Sequence, residues 1–171
     1  MDSLRRMDDL ITPRLRLHLF TVAEARRIVE GAPSESDRWA EQFPMQDDKD
    51  GVGGFLKAAE AGADAGPFGS YRIDDADGAA VGTIGFYGPP DEEGRVVIGY
   101  GLVPGARGAG YATESVGALV EFCRSRTDVT AMIADTEKDN AASQRVLTKN
   151  GFVFEHEDGK LLYYRLEVTA S

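Results

Sequence analysis

The stretch Arg107-Gly108-Ala109-Gly110-Tyr111-Ala112 decides how the rest of the chain is interpreted. An apolar run at residues 96–103 precedes it. A helical pattern follows, in which apolar residues recur at i, i+3, i+4 and i+7: Val116, Leu119, Val120 and Cys123. The order predicts a strand, a glycine-rich turn and a helix. Unpaired amides and the dipole at such a helix N-terminus favour the binding of phosphate.

The residue types in this turn suit close contact with an anion. Gly108 and Gly110 can adopt positive φ and let a ligand approach the backbone, and Arg107 carries a guanidinium fork that matches phosphate oxygens. No Gly-Lys-Ser/Thr follows the turn, which excludes a P-loop. The glycine spacing is not G-x-G-x-x-G and no βαβ unit opens the chain, which disfavours a Rossmann nucleotide site.

A second segment, NAASQRVLTKNGF at residues 140–152, has the signals of a short capped helix. Asp139 or Asn140 can cap its N-terminus, and Gly151 can end it in the left-handed conformation. A strand is predicted before it, at residues 129–134, and a hairpin after it. The hairpin pairs residues 152–156 with 160–168 around the turn Asp158-Gly159.

Together these segments resemble the coenzyme A motifs of the GNAT-type N-acetyltransferases. Residues 107–112 are similar to that family's Q/R-x-x-G-x-G/A loop, and residues 140–152 to its N-x-x-S-x-x-V-L-x-K-x-G-F segment. Three flanking stretches resemble the Rim-type branch, which acetylates the N-termini of ribosomal proteins: VIGY at 97–100, GYATE at 110–114 and TPRLRL at 12–17. Val97 stands where that branch usually has Glu. The resemblance spans about Thr12 to Leu166.

The resemblance implies an α+β fold of the GNAT type in a single domain, residues 1–171. Its centre is a mixed, mostly antiparallel, twisted sheet of about six to seven strands, flanked by helices and splayed at the coenzyme A site. Alternation and turn signals in the sequence predict strands at residues 14–20, 68–74, 79–87 and 95–103. Thr21 to Glu24 form a capping box that opens a helix through about Glu30.

Two interpretations of the first half rest on weaker patterns. Two short helices are predicted around Trp39 and Phe55, joined by a polar link at residues 46–50. His18 alternates outward with arginines, away from Leu15, Leu17 and Leu19, so we expect it to be solvated.

Composition limits the classes of partner. The net charge of −10 and the pI near 4.7 disfavour nucleic acid and anionic membranes but suit a cationic amine. The single cysteine, Cys123, cannot form an internal disulfide, and residues 1–6 lack the apolar core of a signal peptide. A cytoplasmic protein, monomeric or homodimeric and without a metal, is expected.

By resemblance, the cosubstrate is acetyl-CoA. The coenzyme contacts implied by the two motifs are Leu102, Val103, Arg107, Gly108, Ala109, Gly110, Tyr111, Ala112, Thr113, Asn140 and Ser143. The region that walls the acceptor site in the family supplies candidate amine contacts, with a buried Trp and a solvated charge run as the alternative. These candidates are Trp39, Glu41, Asp47 and Tyr100, together with Phe43 and Asp48.

The implied reaction is transfer of acetyl from acetyl-CoA to a primary amine by direct attack in a ternary complex. The acceptor could be a protein N-terminus, an aminoglycoside-like compound or a small cationic amine. Candidate bases are Asp135, Glu137 and His156. Many GNAT enzymes place a Tyr acid on the helix after the motif Asn, but Leu147 holds that position here. This keeps open an alternative, a non-catalytic acyl-CoA-binding or interaction module.

Overall fold

A computed structural model of the chain describes residues 8–168, so the expectation for residues 1–6 lies outside the described residues. The described part contains one sheet and four α-helices. The strands are β1 (Leu10–Ile11), β2 (Arg16–Leu19), β3 (Ser70–Asp74), β4 (Ala80–Phe86), β5 (Arg95–Leu102), β6 (Ala131–Glu137), β7 (Val153–Asp158) and β8 (Leu161–Glu167). The helices are α1 (Val22–Glu30), α2 (Gln46–Glu60), α3 (Tyr111–Arg124) and α4 (Ala141–Lys149).

The sheet confirms the predicted α+β class and the mixed, mostly antiparallel arrangement. Its strand order is β1-β2-β3-β4-β5-β6-β8-β7, and only β5 and β6 run parallel. It has eight strands in place of the six to seven expected. The two-residue β1 contributes to the difference, because a pair this short leaves no alternation in the sequence to detect.

The parallel strands β5 and β6 separate partway along their length. They pair from Arg95 with Ala131 as far as Ile98 with Ala134. Beyond that point β5 continues to Leu102 against β4, while β6 continues to Glu137 against β8. The sheet therefore opens between the C-terminal ends of two neighbouring strands, as the family resemblance implied.

Helices α1 and α3 follow their sequence signals closely. The Thr21 hydroxyl accepts the Glu24 N–H at 3.1 Å, and the Glu24 carboxylate accepts the Thr21 N–H at 2.8 Å, which is the predicted capping box. On α3 the predicted apolar stripe, Val116 to Cys123, is buried against the sheet. Burial raises the pKa of the Cys123 thiol to about 12, so this cysteine is an inert core residue at neutral pH.

The prediction of two short helices around Trp39 and Phe55 is wrong. A single helix, α2, spans Gln46–Glu60, and the run taken for a polar link forms its first turn. Acidic residues are favourable there because they face the positive end of the helix dipole. Asp48 also accepts the Met45 N–H at 2.8 Å, which helps to start the helix. Trp39 lies before α2 in an extended bridge to Ala80.

The expectation that His18 is solvated is also wrong. Its side chain is on the face opposite Leu17, as alternation requires, but Asp9 and Glu24 cover that face. Nδ1 lies 3.0 Å from an Asp9 oxygen and Nε2 lies 2.9 Å from a Glu24 oxygen, leaving the residue 7% exposed. Period-two alternation identifies the face of a strand, but it does not reveal what packs on that face.

The C-terminal hairpin is confirmed with its turn displaced by one residue. Asp158 pairs with Leu161, so the loop residues are Gly159 and Lys160, and Gly159 has a positive φ of 61°. Tyr164, Leu166 and Val168 are buried on one face of the hairpin. Within residues 8–168, no helix is long and apolar enough to span a membrane.

Candidate active site

The separation of β5 from β6 opens into a cavity of about 560 Å³. Strands β4, β5 and β6 form its walls, together with the first turns of α2 and α4. The wall residues that bear on chemistry are Asp47, Asp48, Asp50, Thr83, Tyr87, Tyr100, Asp135, Glu137, Asn140 and Ser143. Seven predicted site residues meet here from three distant segments: Asp47, Asp48, Tyr100, Asp135, Glu137, Asn140 and Ser143.

Backbone groups of β5 face the opening in alternation. Val103 donates its N–H to the Val81 carbonyl at 2.9 Å, so this amide is engaged with the neighbouring chain. Successive residues of an antiparallel strand direct their hydrogen bonds to opposite sides. The amides of Leu102 and Tyr100 therefore point to the side that β6 has left. Of the two candidate amides Leu102 and Val103, the geometry favours Leu102 as a ligand contact.

The glycine-rich turn has the backbone form expected of an anion site. Gly108 and Gly110 both have a φ of 86°, the left-handed region that other residues adopt at a cost. Gly110 is the N-cap of α3, and no side chain caps this helix. The first amides of α3, from Tyr111 to Thr113, lack intrahelical acceptors and remain available to a ligand. These residues fit a pyrophosphate.

An ion pair that sequence reasoning missed holds this turn. Arg14 donates through Nε to Glu114 at 2.7 Å and through Nη1 to the Ala109 carbonyl at 2.7 Å. Its guanidinium also stacks 4.8 Å from the centre of the Tyr111 ring. Thr12 donates a short hydrogen bond to the same Glu114 carboxylate. Burial opposes the charge of Glu114, but the bonds from Thr12 and Arg14 lower its pKa below the ordinary value.

This ion pair explains why two sequence motifs occur together. Thr12 and Arg14 belong to the opening TPRLRL stretch, and Glu114 is the last residue of GYATE. Both motifs could be recognised in the sequence, but neither indicates that it contacts the other, about 100 residues away. A Cβ on Gly110 would lie 3.1 Å from Arg14 Nη2, so Arg14 occupies the space beside this glycine.

Arg107 lies at the surface between β5 and α3. Its Nε donates to the Leu102 carbonyl at 3.0 Å, and its Nη2 lies 3.9 Å from the sulfur of Met45. The guanidinium thus contacts both the end of β5 and the start of α2. Its side chain is exposed, and it remains a candidate phosphate contact.

Tyr100 and the start of α4 meet across the opening. The Tyr100 hydroxyl lies 2.7 Å from Ser143 Oγ. Asn140 caps α4 by accepting the Ser143 N–H at 3.1 Å. Burial raises the pKa of Tyr100, and the hydrogen bond to Ser143 opposes that rise. A neutral phenol is therefore held at the edge of the cavity, where it can donate a proton.

Carboxylates dominate the charge of the cavity. Asp48 is 3% exposed and accepts from the Thr83 hydroxyl at 2.6 Å, and its burial raises its pKa. Asp135 lies on β6 at the first position beyond the pairing with β5, and burial raises its pKa as well. Asp47, Asp135 and Tyr87 line the same cavity, and the two carboxylates raise the pKa of Tyr87 beyond the effect of burial. A cation in this cavity would meet several negative groups.

Among residues 8–168, no group of three or more His, Cys, Asp or Glu side chains could hold a metal ion. The negative charges are spread around the walls, an arrangement that suits an ammonium group and its three donors.

Other predicted site residues lie outside the cavity. The His156 ring stacks on Tyr163 at 4.5 Å on the outer hairpin. Trp39 packs edge-on against Phe43 at 5.8 Å, and Glu41 is exposed to solvent. Leu147 is fully buried in the core, so it does not line the cavity.

A family model, the acetyltransferase (GNAT) domain, matches residues 14–153. The chain is 36% identical over 84 residues to YjdG, an uncharacterised N-acetyltransferase of Bacillus subtilis, in an alignment that covers 49% of this chain and 50% of that protein. A second uncharacterised N-acetyltransferase of B. subtilis, YoaA, is 33% identical over 84 residues, covering 49% of this chain and 46% of that protein. The chain thus spans about half the length of the curated relatives it matches.

Solved structures share the fold over nearly the whole chain. The ribosomal L7/L12 α-N-protein acetyltransferase RimL in complex with coenzyme A has a TM-score of 0.69 at 17% identity, covering 95% of this chain and 99% of that one. The ribosomal-protein-S5-alanine acetyltransferase of Vibrio fischeri has a TM-score of 0.66 at 16% identity, covering 94% and 96%. At such identities the likeness establishes the fold alone.

Proposed function

Because the chain belongs to the GNAT acetyltransferase family, we propose that it transfers the acetyl group of acetyl-CoA to a primary amine in a ternary complex. One observation carries the proposal: the opening between β5 and β6 leads into a carboxylate-lined cavity, and the uncapped N-terminus of α3 follows β5 after the glycine-rich turn. The N-terminus of α3 would thus attract an anionic coenzyme, and the carboxylates of the cavity would attract a cationic amine.

The chain's own groups suggest how the coenzyme is held. The amides from Gly108 to Thr113 and the α3 dipole receive the pyrophosphate. The Leu102 amide faces the opening and donates to the thioester carbonyl oxygen as negative charge develops there. Asn140 and Ser143 border the path of the pantetheine arm. When bound, acetyl-CoA supplies the activated acetyl group.

The reaction conserves atoms and charge as follows. A protonated amine must lose one proton before its nitrogen can attack. The nitrogen–carbon bond to the acetyl group then forms while the carbon–sulfur bond breaks. The nitrogen loses a second proton, the coenzyme sulfur takes up one, and one proton in total passes to solvent. Correct placement of the two reactants supplies much of the acceleration.

Two residues suit the proton transfers. Asp135 lies where the strands separate, and its raised pKa makes it a better base than an ordinary aspartate. The hydroxyl of Tyr100, bonded to Ser143, can deliver a proton toward sulfur. Leu147, at the usual acid position, is buried and cannot do so. Glu137 is a second carboxylate on the same wall.

A thiol-release assay tests the proposal. We expect acetyl-CoA to be consumed with a primary amine and not with the matching tertiary amine, which has no proton to lose after attack. Asp135→Asn should lower kcat/KM by about 100-fold or more, as loss of a positioned base does, without weakening coenzyme binding. Asp139→Asn, an exposed change of the same charge outside the cavity, is the control. Coenzyme binding without turnover on any amine would favour the non-catalytic alternative.

A further inference from the structure

A second concavity adjoins the acidic cavity. Its lining indicates the chemical nature of the part of the acceptor that lies beyond the amine. This groove has a volume of about 240 Å³ and lies between α2 and the loop after β4. It shares Asp50, Gly51, Phe86 and Tyr87 with the cavity. An acceptor whose ammonium lies among the carboxylates can therefore place the rest of its body in the adjoining groove.

The lining of the groove is mostly apolar and includes four aromatic side chains. Phe55, Phe68, Phe86 and the ring of Tyr87 face it, with alanines of α2 between them. The backbone of α2 is hydrogen-bonded within the helix, so the part of the groove that α2 forms offers few partners to a peptide or a sugar. Such polar groups would lose hydrogen bonds on entering, which is unfavourable.

Charged side chains are confined to the two ends of the groove. Asp50 lies at the mouth, where the groove joins the acidic cavity. Asp64 lies at the far end, and its Oδ1 already accepts the Gly66 N–H at 3.0 Å. From Gly51 to Ala59 the groove follows α2 for about 12 Å, at 1.5 Å per residue. The stretch between the two ends carries no charged side chain, which suits an uncharged body behind a cation at the mouth.

The shape of the groove depends on two glycines in the middle of a helix. A Cβ on Gly51 or on Gly54 would meet no atom within 4 Å, so open space lies above both. Glycine is unfavourable in helix interiors, and these two leave room along the groove floor. Gly53, between them, faces elsewhere: its Cβ would lie 3.8 Å from Val29 on α1.

We propose that the acetyl acceptor is a small primary monoamine with an apolar alkyl or aryl body. Its ammonium lies among Asp47, Asp50 and Asp135, and its body lies in the groove between α2 and Tyr87. The inference rests on the proposed acetyltransferase function. It selects among the possible acceptors, because a peptide, an aminoglycoside or a polyamine would place polar or charged groups against apolar walls.

A series of amines tests the inference. We expect kcat/KM to rise from ethylamine to butylamine to hexylamine by about fourfold for each methylene that enters the groove. 2-Phenylethylamine should exceed ethylamine by about 100-fold. 1,4-Diaminobutane should fall at least about tenfold below butylamine, because its second ammonium would lie against apolar walls. A tri-alanine peptide should be a poorer substrate than hexylamine.

A variant that fills the groove, paired with a control variant on the same helix, also tests the inference. Gly54→Leu places a side chain in the open space and should lower the ratio of kcat/KM for hexylamine to that for ethylamine by at least about tenfold. Gly53→Ala makes a similar gain in helix propensity without reaching the groove, and it should leave the ratio unchanged. Circular dichroism verifies that both variants fold.

The outcomes separate this inference from the function on which it rests. Turnover of ethylamine with no gain from longer bodies, or highest activity with diaminobutane or the peptide, overturns the acceptor class and leaves the acetyltransferase proposal intact. An unchanged ratio in folded Gly54→Leu likewise overturns the groove. Coenzyme binding without turnover on any amine overturns both.

Discussion

At the scale of single residues, Gly110 is constrained both by its backbone conformation and by the side chain of Arg14. The sequence alone did not distinguish these two constraints. Its φ of 86° is unfavourable for a residue with a Cβ, by about 1–2 kcal/mol. The structure adds that a Cβ would press on the Arg14 guanidinium, 3.1 Å away. Any substitution therefore strains the turn and displaces the arginine that holds it.

We expect Gly110→Ala to weaken coenzyme A binding by at least about tenfold, which corresponds to about 1.4 kcal/mol, while the protein remains folded. Arg107→Ala should have a smaller effect because it leaves the amides of the turn in place. Gly105→Ala is the matched control, since a Cβ there meets nothing within 4 Å. Calorimetric titration with coenzyme A measures all three. If folded Gly110→Ala bound as tightly as the parent protein, the turn would not be the phosphate site.

At the scale of elements, α1 is held to the sheet by charge as well as by its apolar stripe. Burial alone would lower the pKa of His18, but the hydrogen bond to Glu24 and its charge raise it above 6.5. Burial alone would raise the pKa of Glu24, but the bond to His18 and the capping bonds to Thr21 lower it from 4.5 to about 2. Asp9, Arg16 and Arg72 complete the surroundings of this pair.

The free energy of unfolding should therefore depend on pH through this pair. The contribution of Glu24 is present above pH 4.5 and is lost as the pH falls toward 2. The contribution of His18 is complete below pH 6.5 and is lost as the pH rises through the higher folded-state pKa. The shift of Glu24 is worth on the order of 2–3 kcal/mol, and both contributions are present together between pH 4.5 and 6.5.

Glu24→Gln isolates this ion pair, because Gln can still accept the Thr21 N–H at the helix start. We expect the variant to lose stability near pH 6 and to show a flatter decline from pH 6.5 to 9 than the parent protein. Urea unfolding at several pH values measures this. His156→Gln, at the only other histidine in the sequence, should keep the parent slope. Identical slopes for Glu24→Gln and the parent would assign the pH dependence to other groups.

The same elements show which contacts can be predicted from the sequence and which cannot. The Thr21–Glu24 capping box and the α3 stripe ending at Cys123 were predicted because each signal lies within one or two helical turns. The partner of Asp48 could not be predicted, since Thr83 is 35 residues away and nothing local marks it. The contact between Arg14 and Glu114 spans 100 residues, although both motifs were visible separately.

The candidate site also contains residues that local motifs predicted and residues that they did not. The turn at residues 107–112 and the cap at Asn140 were predicted from local motifs, and the structure brings both to the region where the sheet opens. The acidic wall was predicted only in part, through Asp47, Asp48, Asp135 and Glu137. Asp50 and Tyr87 join it because α2 and β4 pack against each other, a tertiary arrangement without a sequence signature.

At the scale of the whole molecule, the proposed function requires a chain of net charge −10 to bind two ligands of opposite sign. Long-range repulsion disfavours an anionic coenzyme and attraction favours a cationic amine, but both act through solvent and are screened by salt. The contacts of the phosphates with backbone amides act at hydrogen-bond distance and are screened far less. The two ligands should therefore respond differently to ionic strength.

Coenzyme A at about 100 times its Kd should stabilise the protein by about 2.7 kcal/mol, provided that it binds only the folded state. For a chain of this size that amounts to a rise in Tm of about 5–10 °C. We expect most of this rise to persist at about 0.5 M salt, where the Debye length is only a few Å. Thermal unfolding with and without the coenzyme at each salt concentration measures it.

Over the same range of salt, the KM for a primary amine should increase by about threefold or more, because the acidic cavity then attracts the ammonium less strongly. The divergence is informative because a nonspecific effect of salt on folding would change both quantities together. Steady-state kinetics at saturating acetyl-CoA gives the KM, and the Tm without ligand serves as the folding control. A KM independent of salt would mean that the carboxylates of Asp47, Asp50 and Asp135 do not hold the ammonium, and the acceptor would then have to bind elsewhere along the opening between β5 and β6.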